Sequence, residues 1–326
     1  MKRSLSGIKS TGIPHLGNYL GMIRPAIDLQ DDYEAFYFVA EFHALTTERD
    51  PAAMRESTRM ITAAFLAFGL DPERAAFFRQ SSIPEVTELA WLLSCVTNMG
   101  VLERAHAYKA AKDAGVANHL NHGVFSYPVL MAADILIYDS DVVPVGQDQI
   151  QHLEMTRLMA RHFNNTFGGD YLKLPEPMVR EDVATVPGLD GRKMSKSYGN
   201  LIEPLTAPKK LRKQVMKIVT APTPIEEPLD WESCNVFALY KLFSTSEEQA
   251  EMRANYARPD FGFGHAKQAL FEKMNAHFEP FREKYDALLA DTDTLEDVLE
   301  RGAQRVRPVV GEVMERVRSA TGLGRG

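Results

Sequence analysis

The chain has 326 residues, 45% of them hydrophobic and 25% charged, with a formal net charge of −7. That is enough apolar material for a sizeable core and predicts two domains, while the acidic balance excludes a protein whose whole surface grips nucleic acid and leaves room for a local basic footprint. Cys95 and Cys234 are the sole cysteines, each in an apolar helical stretch, so reduced core thiols are expected and neither a disulfide nor a structural metal. No apolar run reaches membrane-spanning length, and Met1-Lys2-Arg3-Ser4 leads into a strand instead of a signal-peptide core, so a cytoplasmic protein without a membrane partner is expected.

Taken in order, a short apolar strand around Ser6-Gly7-Ile8 runs into Thr11-Gly12-Ile13-Pro14-His15-Leu16-Gly17-Asn18-Tyr19-Leu20-Gly21, a Gly-rich turn that opens an amphipathic helix. Ala35 to Ala40 predicts a strand, Ala52 to Leu70 a helix, Ala75 to Phe78 a strand and Pro84 to Val96 a helix. Such alternation means βαβ units and a parallel sheet. Tyr127 to Asp134 is helical, Val142 to Val145 a strand, and another helix begins around Asp148. The loops carrying His15, His43 and Gly146 therefore fall at carboxyl ends of strands, where ligands of such sheets sit. From about Leu205 the strand signals stop. Pro204, Pro208, Pro222, Pro224 and Pro228 punctuate the entry to helices at Trp231 to Phe243, His265 to Tyr285 and Leu295 to Thr321. The fold class is thus α/β: a Rossmann-like parallel-sheet nucleotide-binding domain over residues 1–200 and an α-helical carboxyl-terminal domain over 201–326.

The chemistry concentrates in two places. Lys193-Met194-Ser195-Lys196-Ser197 puts two ammonium groups three residues apart in a polar loop flanked by Gly188, Gly191 and Gly199, the composition of a mobile clamp for a polyphosphate. A solvated Lys/Ser loop is the plainer alternative, and the Gly-rich turn decides between them. There, free backbone N–H groups of a helix start can seat a phosphate, Gly17 leaves room for a base or ribose, and His15 and Asn18 can donate to phosphoryl oxygens as charge builds up. A third cluster, Lys209, Lys210, Arg212, Lys213 and Lys217, lies at helical spacing after Pro208 and is the candidate face for tracking a nucleic-acid backbone, a solvated helix surface being the alternative.

On these segments the chain resembles class I aminoacyl-tRNA synthetases, with His15-Leu16-Gly17-Asn18 standing for the HIGH signature and Lys193 to Ser197 for KMSKS. Within that family it resembles the bacterial tryptophan-specific members, through Ser6-Gly7-Ile8, Met131-Ala132-Ala133-Asp134-Ile135-Leu136, Val143-Pro144-Val145-Gly146-Gln147-Asp148-Gln149 and Gly322-Leu323-Gly324-Arg325. The resemblance implies ATP contacts at Lys9, Ser10, Thr11, Gly17, Asn18, Gly146, Gln147, Asp148, Val186 and the run Lys193 to Ser197, with His15, Asn18, Lys193 and Lys196 as the catalytic group. Lys9 stands where many bacterial members have Gln, Leu5 where Phe is frequent, and His15 where many tryptophan enzymes have Thr. A phosphate-contacting lysine is also expected at either Lys109 or Lys112.

Tyr127, Met131 and Asp134 are spaced i, i+4 and i+7 and share a helix face. An indole needs flat apolar walls and one acceptor for its ring N–H. Met131, Val143 and Val145 can be the walls, Asp134 the acceptor, and Tyr127 and Gln149 can hold the α-ammonium group; Gly7 and His43 complete the expected pocket. Spacing alone favours a plain core with Asp134 as a helix cap. The resemblance favours the pocket, because tryptophan enzymes carry Asp and Met at these points where tyrosine enzymes carry Gln at the middle one.

The implied reaction has two steps: tryptophan and ATP give tryptophanyl-adenylate with Mg²⁺ assisting, and a hydroxyl of the terminal ribose of tRNA(Trp) then takes the aminoacyl group. A homodimer with tRNA across both subunits is also implied. The competing readings are a tyrosine-specific synthetase, a small-molecule adenylyltransferase of the same nucleotide-binding superfamily, and a non-catalytic paralogue.

Overall fold

The computed structural model describes residues 1–10, 12–113, 120–146, 149–179, 186–224 and 227–324, with backbone alone at 106, 107, 110, 111 and 197. Within them, strands β1 (Arg3–Lys9), β2 (Glu34–Ala40), β3 (Ala76–Arg79), β4 (Val142–Val145) and β5 (Glu176–Val179) form one parallel sheet in the order β3-β2-β1-β4-β5. The chain order reverses between β1 and β4. A crevice opens beyond the carboxyl ends of the strands at such a reversal.

Side-chain alternation along β2 divides the core. Phe36 and Phe38 join Leu5, Phe78 and Val143 on one face, covered by helices Glu85–Val96, His122–Leu136 and Ile150–Phe167. Tyr37 and Val39 join Ile8 and Phe77 on the other, beneath Pro51–Ala67 and Phe263–Ala290. Buried on both faces, β2 reads as an uninterrupted apolar run. Asp50 starts Pro51–Ala67 by accepting the N–H of Ala52 at 2.8 Å, with Pro51 in the first turn, where a missing N–H costs nothing.

The expected strands and first helices are present to within a few residues. β5 and the helix Ser246–Tyr256 had no sequence expectation. β5 carries Pro177 and lies at the sheet's edge, where a residue without an N–H is tolerated. Its counterpart Pro144 in β4 sits past the single register pair, Ser4 with Val142, that joins β4 to β1.

The last helix, Thr292–Thr321, turns back and covers the opposite edge strand, β3. Gly302 permits the approach: a Cβ there would lie 2.0 Å from the Phe77 carbonyl oxygen. Ion pairs Arg79–Glu296, Arg316–Asp139 and Arg318–Glu88 stitch this helix to the sheet and its covering helices.

Candidate active site

At the end of β1 a cleft is lined by Gly7, Lys9, Gly12, Asn18 and Lys196. The Gly-rich turn enters the helical run Leu16 to Asp31 through a reciprocal cap. The Asn18 N–H donates to His15 Nδ1 at 3.2 Å, and the His15 N–H donates to Asn18 Oδ1 at 3.1 Å. Burial first, then the charge of Lys196, pushes the imidazole down to about 4, against a small upward pull from Glu203. His15 is therefore neutral near pH 7. Since Nδ1 accepts, the proton sits on Nε2, and the ring is a donor without carrying a charge. One turn on, residues Tyr19–Ile23 widen into a π-turn, a distortion common near functional sites.

The lysine run hangs on a small hairpin. Val186 accepts the Met194 N–H at 3.0 Å, Gly188 donates to Arg192 at 2.7 Å, and Gly191 turns the chain with φ +83°. Asn200, 3% exposed, fixes the far side. Its Oδ1 accepts the Ser195 N–H at 2.8 Å, while Nδ2 donates to Asp190 at 2.7 Å and to the Lys193 carbonyl at 3.2 Å. The two signatures touch: the Gly17 N–H donates to Met194 Sδ at 3.4 Å, and the Leu16 N–H to the Ile202 carbonyl at 2.8 Å. A Cβ on Gly17 would crowd the His15 ring at 3.1 Å. Lys196 stands beside Gly12 at the cleft mouth, where partial desolvation lowers its pKa and Glu203 opposes the shift; both Lys196 and Lys193 are exposed. Burial also lowers Lys9, whose ammonium donates to Thr46 and Thr47 hydroxyls at 3.3 Å each. Two desolvated cations in one cleft favour a multiply charged anion.

On the neighbouring face Asp134, 1% exposed, contacts His43 Nε2 at 2.7 Å and receives Gln80 Nε2 at 2.7 and 2.8 Å. Burial raises its pKa; the bonds from His43 and Gln80 oppose that. Met131, Val143 and Val145 belong to the apolar cluster beside it. Tyr127 pairs its hydroxyl with His152 at 2.6 Å and sets its ring edge-on to His43. Gly7 is exposed beside the Phe38 ring, which a Cβ would meet at 2.5 Å. Gln149 heads the helix Ile150–Phe167, its N–H donating to the Gly146 carbonyl at 2.9 Å.

Several expectations change in detail. The Ser10 hydroxyl meets Thr58 at 3.2 Å in the core and does not line the cleft. Cys95 is exposed, not a core thiol; Cys234 is buried. Thr11, Gln147, Asp148, Arg325 and the Ser197 side chain lie outside the described residues. Lys109 and Lys112 are both exposed on His106–Asp113. Lys209, Lys210, Arg212, Lys213 and Lys217 are exposed on and just after Pro208–Met216, with Lys210 paired to Glu203 at 2.7 Å. Sequence reasoning missed Gln80, Asp190 and Asn200, which act through other residues and belong to no local pattern.

The profile of class I tRNA synthetases for tryptophan and tyrosine (W and Y) matches residues 2–279. The tryptophan-tRNA ligase of Fusobacterium nucleatum is 47% identical over 323 residues, 99% of this chain and 98% of its own. That of Rhodopirellula baltica is 49% identical over 321 residues, 98% of this chain and 99% of its own. The crystal structure of Campylobacter jejuni tryptophanyl-tRNA synthetase complexed with ADP and tryptophan superimposes with a TM-score of 0.92 at 44% identity, covering 98% of this chain and all of that one.

Proposed function

The chain belongs to the class I tRNA synthetases of the tryptophan and tyrosine type, and from that premise we infer that it is a tryptophan-tRNA ligase. The observation that carries the reading at the level of chemistry is the contact between the two signatures, Gly17 on Met194, beside a cleft lined by Asn18 and Lys196, with His15 capping the turn that carries Asn18.

In the first step the tryptophan carboxylate attacks the α-phosphorus of ATP and pyrophosphate leaves. The protein's part is alignment and charge stabilisation. Neutral His15 donates from Nε2 and Asn18 from its amide to phosphoryl oxygens, while Lys193 and Lys196 neutralise the departing pyrophosphate. Gly17 and Gly146 give the adenosine room. Asp134 accepts the indole N–H between Met131, Val143 and Val145, with Gly7 and His43 at the pocket's edge, and Tyr127 and Gln149 face the α-ammonium group. No cluster of three or more His, Cys, Asp or Glu side chains able to hold a metal occurs among the described residues. A Mg²⁺ ion bound with ATP would help Lys193 and Lys196 neutralise the polyphosphate charge.

In the second step a terminal ribose hydroxyl of tRNA attacks the activated carbonyl. Exposed basic residues along Pro208–Met216 are the proposed backbone-tracking face, within a division into a catalytic part at 1–200 and a tRNA-binding helical part at 201–326. A homodimer fits the exposed Trp91 (70%) on Glu85–Val96 and Met99 (62%) just beyond it, large apolar side chains on the side of the sheet that Phe36 and Phe38 face. No helix among the described residues is long and apolar enough to cross a membrane, and the cytoplasm is the proposed location.

The test is tryptophan-dependent exchange of labelled pyrophosphate into ATP, with Lys196→Ala and with tyrosine in parallel. Exchange with tryptophan alone, falling roughly a hundredfold or more in the variant, is expected. Exchange with tyrosine instead would overturn the pocket assignment, and none with either would leave a binding paralogue.

A further inference from the structure

The carboxylate of Asp134 is held from two sides, and the residue making two of its contacts lies in neither signature. Gln80 occupies the turn Gln80–Ser82 that follows β3 and is 0% exposed. Chemistry fixes its amide orientation. The backbone N–H of Phe42, 2.9 Å away, can only donate, so it meets Oε1 and the NH₂ group faces Asp134. Nε2 then reaches Oδ1 at 2.7 Å and Oδ2 at 2.8 Å, and His43 Nε2 takes Oδ2 at 2.7 Å. An ionised carboxylate offers about four acceptor places. Two contacts to Gln80 and one to His43 leave a single place, on Oδ1.

We infer that Gln80 is a specificity-determining positioning residue: its amide holds the Asp134 carboxylate turned so that one acceptor place remains for a single ring N–H of the amino-acid substrate. This rests on reading the pocket as a tryptophan site. A protonated carboxyl would present an O–H of its own and could no longer accept from all three donors. Around Asp134, burial favours that protonated form, and the hydrogen bonds from His43 and Gln80 favour the charged one. The Tyr138 phenol, one turn along the same helical stretch, is pushed well above its usual range by burial and by the negative charges of Asp134 and Glu85, the latter opening Glu85–Val96. From the sheet, Phe36 and Phe78 pack edge-on to Tyr138 and bring no charge. Tyr127 and His152 bond each other.

The test is Gln80→Met, which keeps length and removes both donor and acceptor. Pyrophosphate exchange gives KM for tryptophan, KM for ATP and kcat from about pH 6 to about pH 9. With wild-type protein the tryptophan KM should stay flat across that range. In the variant it should rise roughly ten- to hundredfold at the acid end, the worth of a hydrogen bond to a charged group, and recover as rising pH ionises Asp134. The ATP KM and kcat at saturating tryptophan should stay within about twofold. The preference for tryptophan over an isostere with sulfur in place of the ring N–H should collapse in the variant and persist in the wild type. An unchanged tryptophan KM, or a pH-independent rise shared with kcat and the ATP KM, overturns the inference. Should Gln80→Met fail to fold, Gln80→Asn keeps an amide for Phe42 and shortens the side chain by one methylene, so that it cannot reach both Phe42 and Asp134; it should show the same pH-dependent KM, and a flat profile overturns the inference. Wild-type protein that exchanges with tyrosine and not tryptophan would bring down the site reading itself, a result distinct from a failure at Gln80 alone.

Discussion

His15 illustrates how much a single side chain owes to its surroundings. A lone histidine in a glycine-rich turn has two titration states near neutrality, and nothing in Thr11 to Gly21 chooses between them. Burial and the ammonium of Lys196 choose the neutral one, and the Asn18 N–H chooses the tautomer. The pKa is depressed, so the unfolded chain binds the extra proton first. The associated stability is fully present above about pH 6.5, the ordinary histidine value, and is lost as pH falls toward about 4. His15→Ala should therefore lose less stability than the wild type between pH 6.5 and pH 4, measured by urea unfolding at each pH. Pyrophosphate exchange in the same variant should fall by about two orders of magnitude with the tryptophan KM little changed. A tryptophan KM that rises as much as kcat falls would place the imidazole against the amino acid instead of the phosphates. His15 and Asn18 were readable as a pair because both sit in one turn. Gln80 was not, because its two partners, Phe42 and Asp134, come from distant parts of the chain and it has no periodicity of its own.

Among the elements, the lysine hairpin and the last helix each depend on one small contact. Asn200 has all of its side-chain polar atoms engaged on the loop that presents Lys193 and Lys196. Asn200→Ala would leave the Ser195 N–H and Asp190 without these partners, loosening the loop without touching the amino-acid pocket. We expect kcat for exchange to fall by roughly tenfold or more, with the tryptophan KM held, and a new protease-sensitive site between Gly188 and Gly199. A protected loop with normal kcat would show that Met194, buried against Gly17, suffices to hold it. In Thr292–Thr321, Gly302 meets the β3 backbone so closely that a methyl group has no place. Gly302→Ala should cost about 1–3 kcal/mol or more, read as a lowered urea midpoint with an unchanged slope. The same residue in an exposed helix position would be stabilised by that substitution, so the sign separates a packed glycine from a tolerated one. The helical stretch from Leu295 to Thr321 was legible in the sequence, but not what it would cover.

For the whole molecule, the two proposed chemical steps use different surfaces, which lets charge separate them. Lys209 and Lys213 are exposed on Pro208–Met216 and Lys217 just after it, whereas Lys210 is committed to Glu203. Reversing the first three to Glu should leave pyrophosphate exchange within about twofold and abolish most tRNA charging, with a shallower salt dependence of tRNA binding in partial variants. Charging that survives the triple reversal would move the footprint elsewhere on the helical part. By itself the sequence determined the class of fold, through alternating strand and helix signals, and marked out the two signature segments, because each is local: a turn and a run of cations. Only the tertiary structure decided that Met194 rests on Gly17, that the last helix crosses back to cover β3, that Ser10 turns its hydroxyl into the core, and that Gln80 supports Asp134. Those are contacts between segments far apart in the chain. Their partners are selected by packing and by the need to pair every buried polar group, and neither demand is written in any single stretch of sequence.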